Sequence, residues 1–333
     1  MNPALAVLLF LLAADPKEAE QELRLAARWG DTAAARRLLE KGVNVDAPES
    51  NGDTALSLAA EYGQSETVAA ILTWHPNTDS RQRAMQKASL NGFLDIARML
   101  LETRLPETAV NEALALAVQA NHPAFVRLLI GYGADPNAGP NGVPVLFTAI
   151  AANQVEMVEM LMQSGGDLRK PSKEGFTPLL SAVRGGSVEI VETLLAYGAS
   201  PNQADANEAT PLLWAVANGR GDLVRFLLAS GADPNQAGHQ GITPLNAAVQ
   251  TGRTRIIHQL LAFGARIDDP GPKGLTPLLT AIEQSRADLV RILIDSQAGV
   301  NLRDPSGASP LQYARRRRNQ EIIDLLLRGG AQP

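Results

Sequence analysis

The tripeptide Thr-Pro-Leu recurs at a step of 33 residues, beginning at Thr177, Thr210, Thr243 and Thr276, and Ser309-Pro310-Leu311 continues it after another 33. No other feature constrains the fold as strongly. A fixed step of this length makes each copy one supersecondary unit, too small to bury its own apolar face, that must stack on its neighbours. The register continues toward the N-terminus in weaker form. Pro144-Val145-Leu146, Glu112-Ala113-Leu114, Thr54-Ala55-Leu56 and Gln21-Glu22-Leu23 hold the same place. Arg83-Ala84-Met85 fits among them with intervals of 29 on each side, so the third unit is expected to be shortened. Ten units follow, near 18–47, 48–79, 80–105, 106–138, 139–171, 172–204, 205–237, 238–270, 271–303 and 304–333, in a single array over 15–333. A compact core stops growing at about 250–300 residues. An array of 333 residues escapes that limit because each unit touches only its neighbours.

The stretch 172–204 displays the logic of one unit. Thr177 suits an N-cap, and Pro178 then occupies the first helical position, where its missing N–H is not needed. Leu179, Ala182 and Val183, at i, i+3 and i+4, predict a short helix with one apolar face. Gly185-Gly186 break it. A second helix is predicted from about Val188, with Ile190, Val191, Leu194 and Leu195 as its apolar stripe, and Gly198 just past its end suits a left-handed closing residue. Ala182, Ala215, Ala248, Ala281 and Ala314 recur at equivalent places and would let neighbouring helices approach closely.

Composition supports helices. Hydrophobic residues are 45% of the chain but aromatics only 4%, so Ala and Leu dominate the apolar set. The net charge of −5 argues against general nucleic-acid affinity, which needs many Lys and Arg contacts to phosphate. The chain has no cysteine, which excludes disulfides, thiolate metal sites and cysteine nucleophiles.

The pattern G-x-T-P-L-x-x-A-x-x-x-G, followed by V/I-V-x-x-L-L-x-x-G-A-D-P-N, resembles the ankyrin repeat. Gly241 to Gly252 and Gly219 to Asn235 match it almost whole. The match is strong over 139–333, moderate over 18–79 and 106–138, and weak over 80–105. The resemblance implies an all-α solenoid of stacked helix-turn-helix units with short β-turn or hairpin fingers. It further implies a curved array whose concave side carries the first helices and the fingers. Two departures stand out. Leu180, Leu213, Asn246 and Leu279 occupy the place where the family often has His, so the hydrogen bonding usual near the Thr hydroxyl is not carried over. The third unit lacks both T-P-L and G-A-D-P-N; at Thr73-Trp74-His75-Pro76-Asn77 and at Thr103-Arg104-Leu105-Pro106 the fingers are expected to be short or absent, with a bend of the stack possible there.

No catalytic constellation emerges. His75, His122, His239 and His258 fall in separate units with no metal-ligand spacing. Gly185-Gly186-Ser187 is a helix-to-helix turn and not a phosphate loop. Glu18, Glu20 and Glu22 read as favourable charge at a helix start. Arg315 to Arg318 spans about one turn, so its side chains diverge; a solvated end cap is the plainer reading and a docking patch the sharper one. An enzyme site hidden in 73–106 is the alternative class, but that region is too short for an independent fold. No cofactor and no metal are expected.

Ala4 to Ala14 is an uninterrupted apolar run of 11 residues, too short to span a bilayer. Its length matches the apolar region of a secretory signal peptide, with Ala13 and Ala14 as small residues for cleavage. No Lys or Arg precedes it, and Leu12 would stand three positions before the cut. An apolar cap on the first unit is the competing reading. The balance favours a signal peptide at 1–14 and a periplasmic or secreted chain; a cytoplasmic chain is the alternative.

By the resemblance, a partner protein would meet the finger tips and the exposed side of the first helices. The tips map to Lys173, Glu174, Asn207, His239, Gln240 and Lys273, and the first-helix positions to Arg184, Asn218, Gln250 and Glu283. These positions vary between units while the T-P-L and L-L positions do not. Trp214 is an aromatic candidate on this face, weighed evenly between anchor and core, whereas Phe176 and Tyr313 lean toward core. The expected function is a monomeric, non-catalytic scaffold for protein–protein interaction, without a membrane span in the mature chain. A host-directed effector would use the same surface, and the sequence does not separate the two.

Overall fold

The computed structural model describes residues 16–332; the signal-peptide expectation at 1–14 lies outside them. The described chain is a succession of helix pairs: α1 (Pro16–Trp29) and α2 (Thr32–Glu40), α3 (Ala55–Glu61) and α4 (Ser65–Leu72), α5 (Thr78–Asn91) and α6 (Leu94–Glu102), α7 (Glu107–Gln119) and α8 (Pro123–Gly131), α9 (Val145–Ala151) and α10 (Val155–Gln163). The succession continues with α11 (Pro178–Gly185) and α12 (Val188–Ala196), α13 (Pro211–Ala217) and α14 (Gly221–Ala229), α15 (Pro244–Gln250) and α16 (Thr254–Ala262), α17 (Pro277–Glu283) and α18 (Ala287–Asp295), α19 (Pro310–Arg317) and α20 (Gln320–Arg328). Among the described residues there is no strand. The chain forms two compact units, one ending at Gly166 and the other beginning at Asp167. Within each, the first helices pack side by side in chain order.

The Thr-Pro-Leu units begin as their chemistry dictates. The hydroxyls of Thr177, Thr210, Thr243 and Thr276 accept the N–H of Leu180, Leu213, Asn246 and Leu279 at 3.1, 3.1, 3.2 and 3.3 Å. Each such cap is worth about 1 kcal/mol. The Thr hydroxyl is therefore engaged without the family's His. In one unit Asn246 adds a second bond, donating Nδ2 to Thr243 Oγ1 at 3.0 Å and to the Asp269 carbonyl at 3.0 Å. The leucines of the motif and the recurring alanines form the core: Leu212, Leu245 and Leu278 and Ala215, Ala248 and Ala281 are all buried.

At the third unit the chain departs from this plan. Only residues 73–77 connect α4 to α5, and only 103–106 connect α6 to α7, so neither junction carries a finger. The first helices lengthen instead: α5 has 14 residues and α7 has 13, against 7 in α13. Arg83-Ala84-Met85 and Glu112-Ala113-Leu114 therefore lie inside helices, with Ala84, Met85, Ala113 and Leu114 buried. Asn77 caps the lengthened α5 by accepting the Ser80 N–H at 2.8 Å.

Neighbouring units of the second body are tied by the last residue of the G-A-D-P-N segment. Asn202 donates Nδ2 to the Gly231 carbonyl at 3.0 Å and accepts the Asp233 N–H at 2.7 Å. Asn235 does the same with Gly264 at 3.1 Å and Arg266 at 2.7 Å, and Asn301 with Gly330 at 3.2 Å and Gln332 at 2.8 Å. In the first body Asn137 donates Nδ2 to the Gly165 carbonyl at 3.1 Å in the same way, and in the first unit Asp46 takes this place. Its carboxylate accepts the Asn77 N–H at 3.0 and 3.1 Å and the Ser80 hydroxyl at 2.6 Å, which anchors the start of α5 where the finger is missing.

Candidate functional site

The fingers of the second body are single tight turns. Ser172 N–H donates to the Phe176 carbonyl at 2.9 Å, Asp205 to Ala209 at 3.1 Å, Gly238 to Ile242 at 3.0 Å and Gly271 to Leu275 at 2.9 Å. These turns carry Lys173, Glu174, Asn207, His239, Gln240 and Lys273 outward, and all six are exposed. Gln240 and Lys273 sit at φ of 57° and 62°, a left-handed conformation uncommon outside glycine. The Glu174 carboxyl is held below its usual range, chiefly by the Ser172 hydroxyl donating to it at 2.9 Å, with Arg184 and Lys173 adding positive charge.

The turn ends on Phe176, one residue before the Thr177 cap, and α11 then presents Arg184 in its last turn. The Arg184 guanidinium carbon lies 3.9 Å from the centroid of the Phe176 ring and 4.8 Å from that of Trp214 on α13. Trp214 also walls a groove of about 370 Å³ between α13 and α15. Leu213 and Ile242 supply further apolar wall, and Asn207, Asn218, His239 and Gln250 supply the rim. Asn218 holds the wall in place by donating Nδ2 to the Trp214 carbonyl at 2.8 Å.

Of the residues expected on this face, the structure brings Asn207, Trp214, Asn218, His239 and Gln250 to one groove, with Arg184 adjoining it through the Trp214 ring. Lys173 and Glu174 lie at the Arg184 end, where their charges act on one another. Gln240 and Lys273 stay at finger tips outside the groove. Half-buried Glu283 lies farther along, near Tyr313, whose pKa is raised chiefly by its hydrogen bond to Asp304 and least by the Glu283 charge. Phe176, Trp214 and Tyr313 are all half-buried. The lean of Phe176 and Tyr313 toward core is corrected here: each offers a face to a guanidinium, Phe176 to Arg184 and Tyr313 to Arg316 at 5.8 Å. Ile242 went unremarked in the sequence, although it occupies the same place before the Thr cap as Phe176.

In the first body the polar groups on this side satisfy one another. Lys87 Nζ reaches Glu61 at 3.1 Å and the buried Asp53 at 3.4 Å. Burial opposes the Lys87 charge, but Glu61 and Asp53 outweigh it and raise its pKa. Glu112 accepts Gln82 at 2.9 Å and Gln86 at 3.1 Å. Among the described residues no group of three His, Asp or Glu is placed to hold a metal ion, and no helix is long and apolar enough to cross a membrane. His122 has a packing role, its Nε2 lying 3.0 Å from the Leu90 carbonyl. His258 is exposed on α16, and Arg315 to Arg318 are exposed at the end of α19.

A family model described as "Ankyrin repeats (3 copies)" matches residues 4–81, 23–112, 114–205, 146–238, 200–270 and 245–333. Curated relatives include Ankyrin repeat and SOCS box protein 3 of Homo sapiens, 30% identical over 114 residues, covering 34% of this chain and 18% of the relative. Ankyrin repeat and MYND domain-containing protein 1 of Homo sapiens is 29% identical over 181 residues, 46% of this chain and 19% of the relative. Ankyrin repeat and KH domain-containing protein mask-1 of Caenorhabditis elegans is 26% identical over 130 residues, 36% of this chain and 5% of the relative. The matched segments thus span less than a fifth of each of these relatives. The overlapping family matches, the Thr-capped helix pairs and the asparagine ties between units agree: the chain belongs to the ankyrin-repeat family.

Proposed function

We propose that this chain is a non-catalytic scaffold that captures a partner protein on the finger tips and exposed first-helix side of its second body. Ankyrin repeats are generally protein–protein interaction modules. The groove beside Trp214 carries the reading, because five of the residues expected for contact converge on it. A concave apolar wall with a polar rim is the usual anatomy of an interface centre. Affinity capture from native extract tests it. Charge reversal at Arg184 together with alanine at Asn218 and Gln250 is expected to weaken retention of the captured protein while the chain stays folded, as a cooperative thermal unfolding transition checks. Undiminished retention, with loss on substitution of exposed second-helix residues such as His258, would overturn the face assignment. We further propose export to a periplasm or beyond, supported by the apolar run 4–14; a retained Met1 in a cytoplasmic fraction would overturn it.

A further inference from the structure

Arg184 is arranged as a receptor for an anion. Its guanidinium lies against two rings, 3.9 Å from the Phe176 centroid and 4.8 Å from that of Trp214, while the residue stays exposed, and a planar fork held by aromatic contacts is pre-organised for a carboxylate. Among the described residues no carboxylate lies within ion-pair distance of Arg184 and no hydrogen bond uses its N–H groups, although its charge is felt at Glu174. The nearby Glu174 carboxylate instead accepts the Ser172 hydroxyl.

Trp214 joins this receptor to the groove. Beyond the ring, the wall is Leu213 and Ile242, and the rim at Asn207, Asn218, His239 and Gln250 carries no carboxylate. A ligand carboxylate is therefore met at the Arg184 end, and an apolar side chain is met within the groove. A basic segment would set its cation against Arg184.

We infer that Arg184 and the groove form one bipartite site for an extended acidic–apolar segment of the partner, with an Asp or Glu carboxylate on the Arg184 fork and a neighbouring apolar side chain against Trp214, Leu213 and Ile242. This rests on the protein-binding reading and adds the chemistry of the ligand.

The test is selection of random, unphosphorylated peptides displayed against the full chain, followed by anisotropy titration of the selected peptide and of its Glu→Gln or Asp→Asn version. Selected peptides should pair an acid with a nearby large apolar residue. Arg184→Gln should weaken the acidic peptide by about tenfold to a hundredfold, the range for losing a charge-assisted bidentate contact, and leave the amide version unchanged. Arg184→Lys should recover only part of the loss, because the fork is missing. Trp214→Ala should weaken both versions and Trp214→Phe much less. Equal loss of both versions in Arg184→Gln, selection without acidic enrichment, or no peptide bound at all would each overturn the inference. If none binds yet charge reversal at Arg184 still impairs partner capture, the inference falls and the binding reading stands. If capture ignores every first-helix substitution, the binding reading falls as well.

Discussion

Arg220 reaches 34 residues back along the chain to donate Nη2 to the carbonyl of Gly186 at 3.0 Å, laying its guanidinium over that glycine. The relationship repeats. A side chain placed at Gly219 would meet Arg253, and one at Gly252 would meet Arg286. In the first body Gln64 covers Gly30, Phe93 covers Gly63 and His122 covers Gly92. At these six junctions the residue before the second helix closes over the inter-helix glycine of the preceding unit, whatever its side-chain type, while Asn121, Asn153 and Ser285 hold the left-handed position at junctions without a glycine.

Gly186→Ala is therefore expected to destabilise the second body by about 1–2 kcal/mol, since φ there is +78° and a left-handed alanine alone costs about 1 kcal/mol. An added Cβ would also overlap Nη1 of Arg220. Urea unfolding of Gly186→Ala, of Arg220→Ala and of the double variant separates the two contributions. The double variant should be less damaged than the sum of the singles, because Arg220 is then no longer in the way.

Asn235→Ala removes both ties to the next unit and is expected to lower stability by about 1–2 kcal/mol. Asn207→Ala, at an exposed finger tip where no such tie is made, should change it by less than about 0.5 kcal/mol. Thermal unfolding of the two variants side by side checks the contrast.

Asp304 connects stability to pH. Hydroxyls of Ser306 and Tyr313 donate to its carboxylate, with the Ala308 and Ser306 N–H groups, and together they hold its pKa down to about 2. The unfolded value is about 3.9. The folded pKa is the lower one, so the contribution is complete above about pH 4 and is lost as pH falls through about 2. Asp304→Asn should lower the melting temperature at neutral pH, and its difference from wild type should shrink across that acidic window. Tyr313, whose pKa is raised first by its hydrogen bond to Asp304, should titrate earlier in the variant by spectrophotometric titration.

The helix starts at Thr177, Thr210, Thr243 and Thr276 were legible because a hydroxyl followed by proline states its own geometry. At Arg83-Ala84-Met85 alignment to the tripeptide marks a unit but not a helix start. With no finger to enter from, α5 begins instead at Thr78, capped by Asn77. The groove was half legible. Asn207, Trp214, Asn218, His239 and Gln250 came from their register positions, but the join through Arg184 depends on how a long side chain lies between two rings. The Pro-Asn pair in the sequence states only turn chemistry. That its asparagine binds a carbonyl 29 residues on and an N–H 31 residues on, as Asn235 does, follows only from the stacking of two units.

The asparagine ties also single out a position that falls short of them. Asp268 stands where Asn202, Asn235 and Asn301 stand in their own units, and it accepts the Gly299 N–H at 2.9 Å, again 31 residues on. A carboxylate has no N–H, so it cannot make the second bond that each asparagine donates to the carbonyl 29 residues on. At Asp268 that carbonyl belongs to Gln297, whose φ of 69° places it in the same left-handed turn as Gly231 and Gly264. Asp268→Asn should keep the bond to Gly299 and add one from Nδ2 to the Gln297 carbonyl. The expected gain is about 0.5–1 kcal/mol, the net value of one neutral hydrogen bond. Asp268→Ala, lacking both bonds, should be destabilised relative to wild type. An order of stability Asn above Asp above Ala in urea unfolding confirms the tie as a property of the position, whereas equal stability of the Asn and Asp forms would show that the Gln297 carbonyl needs no partner there.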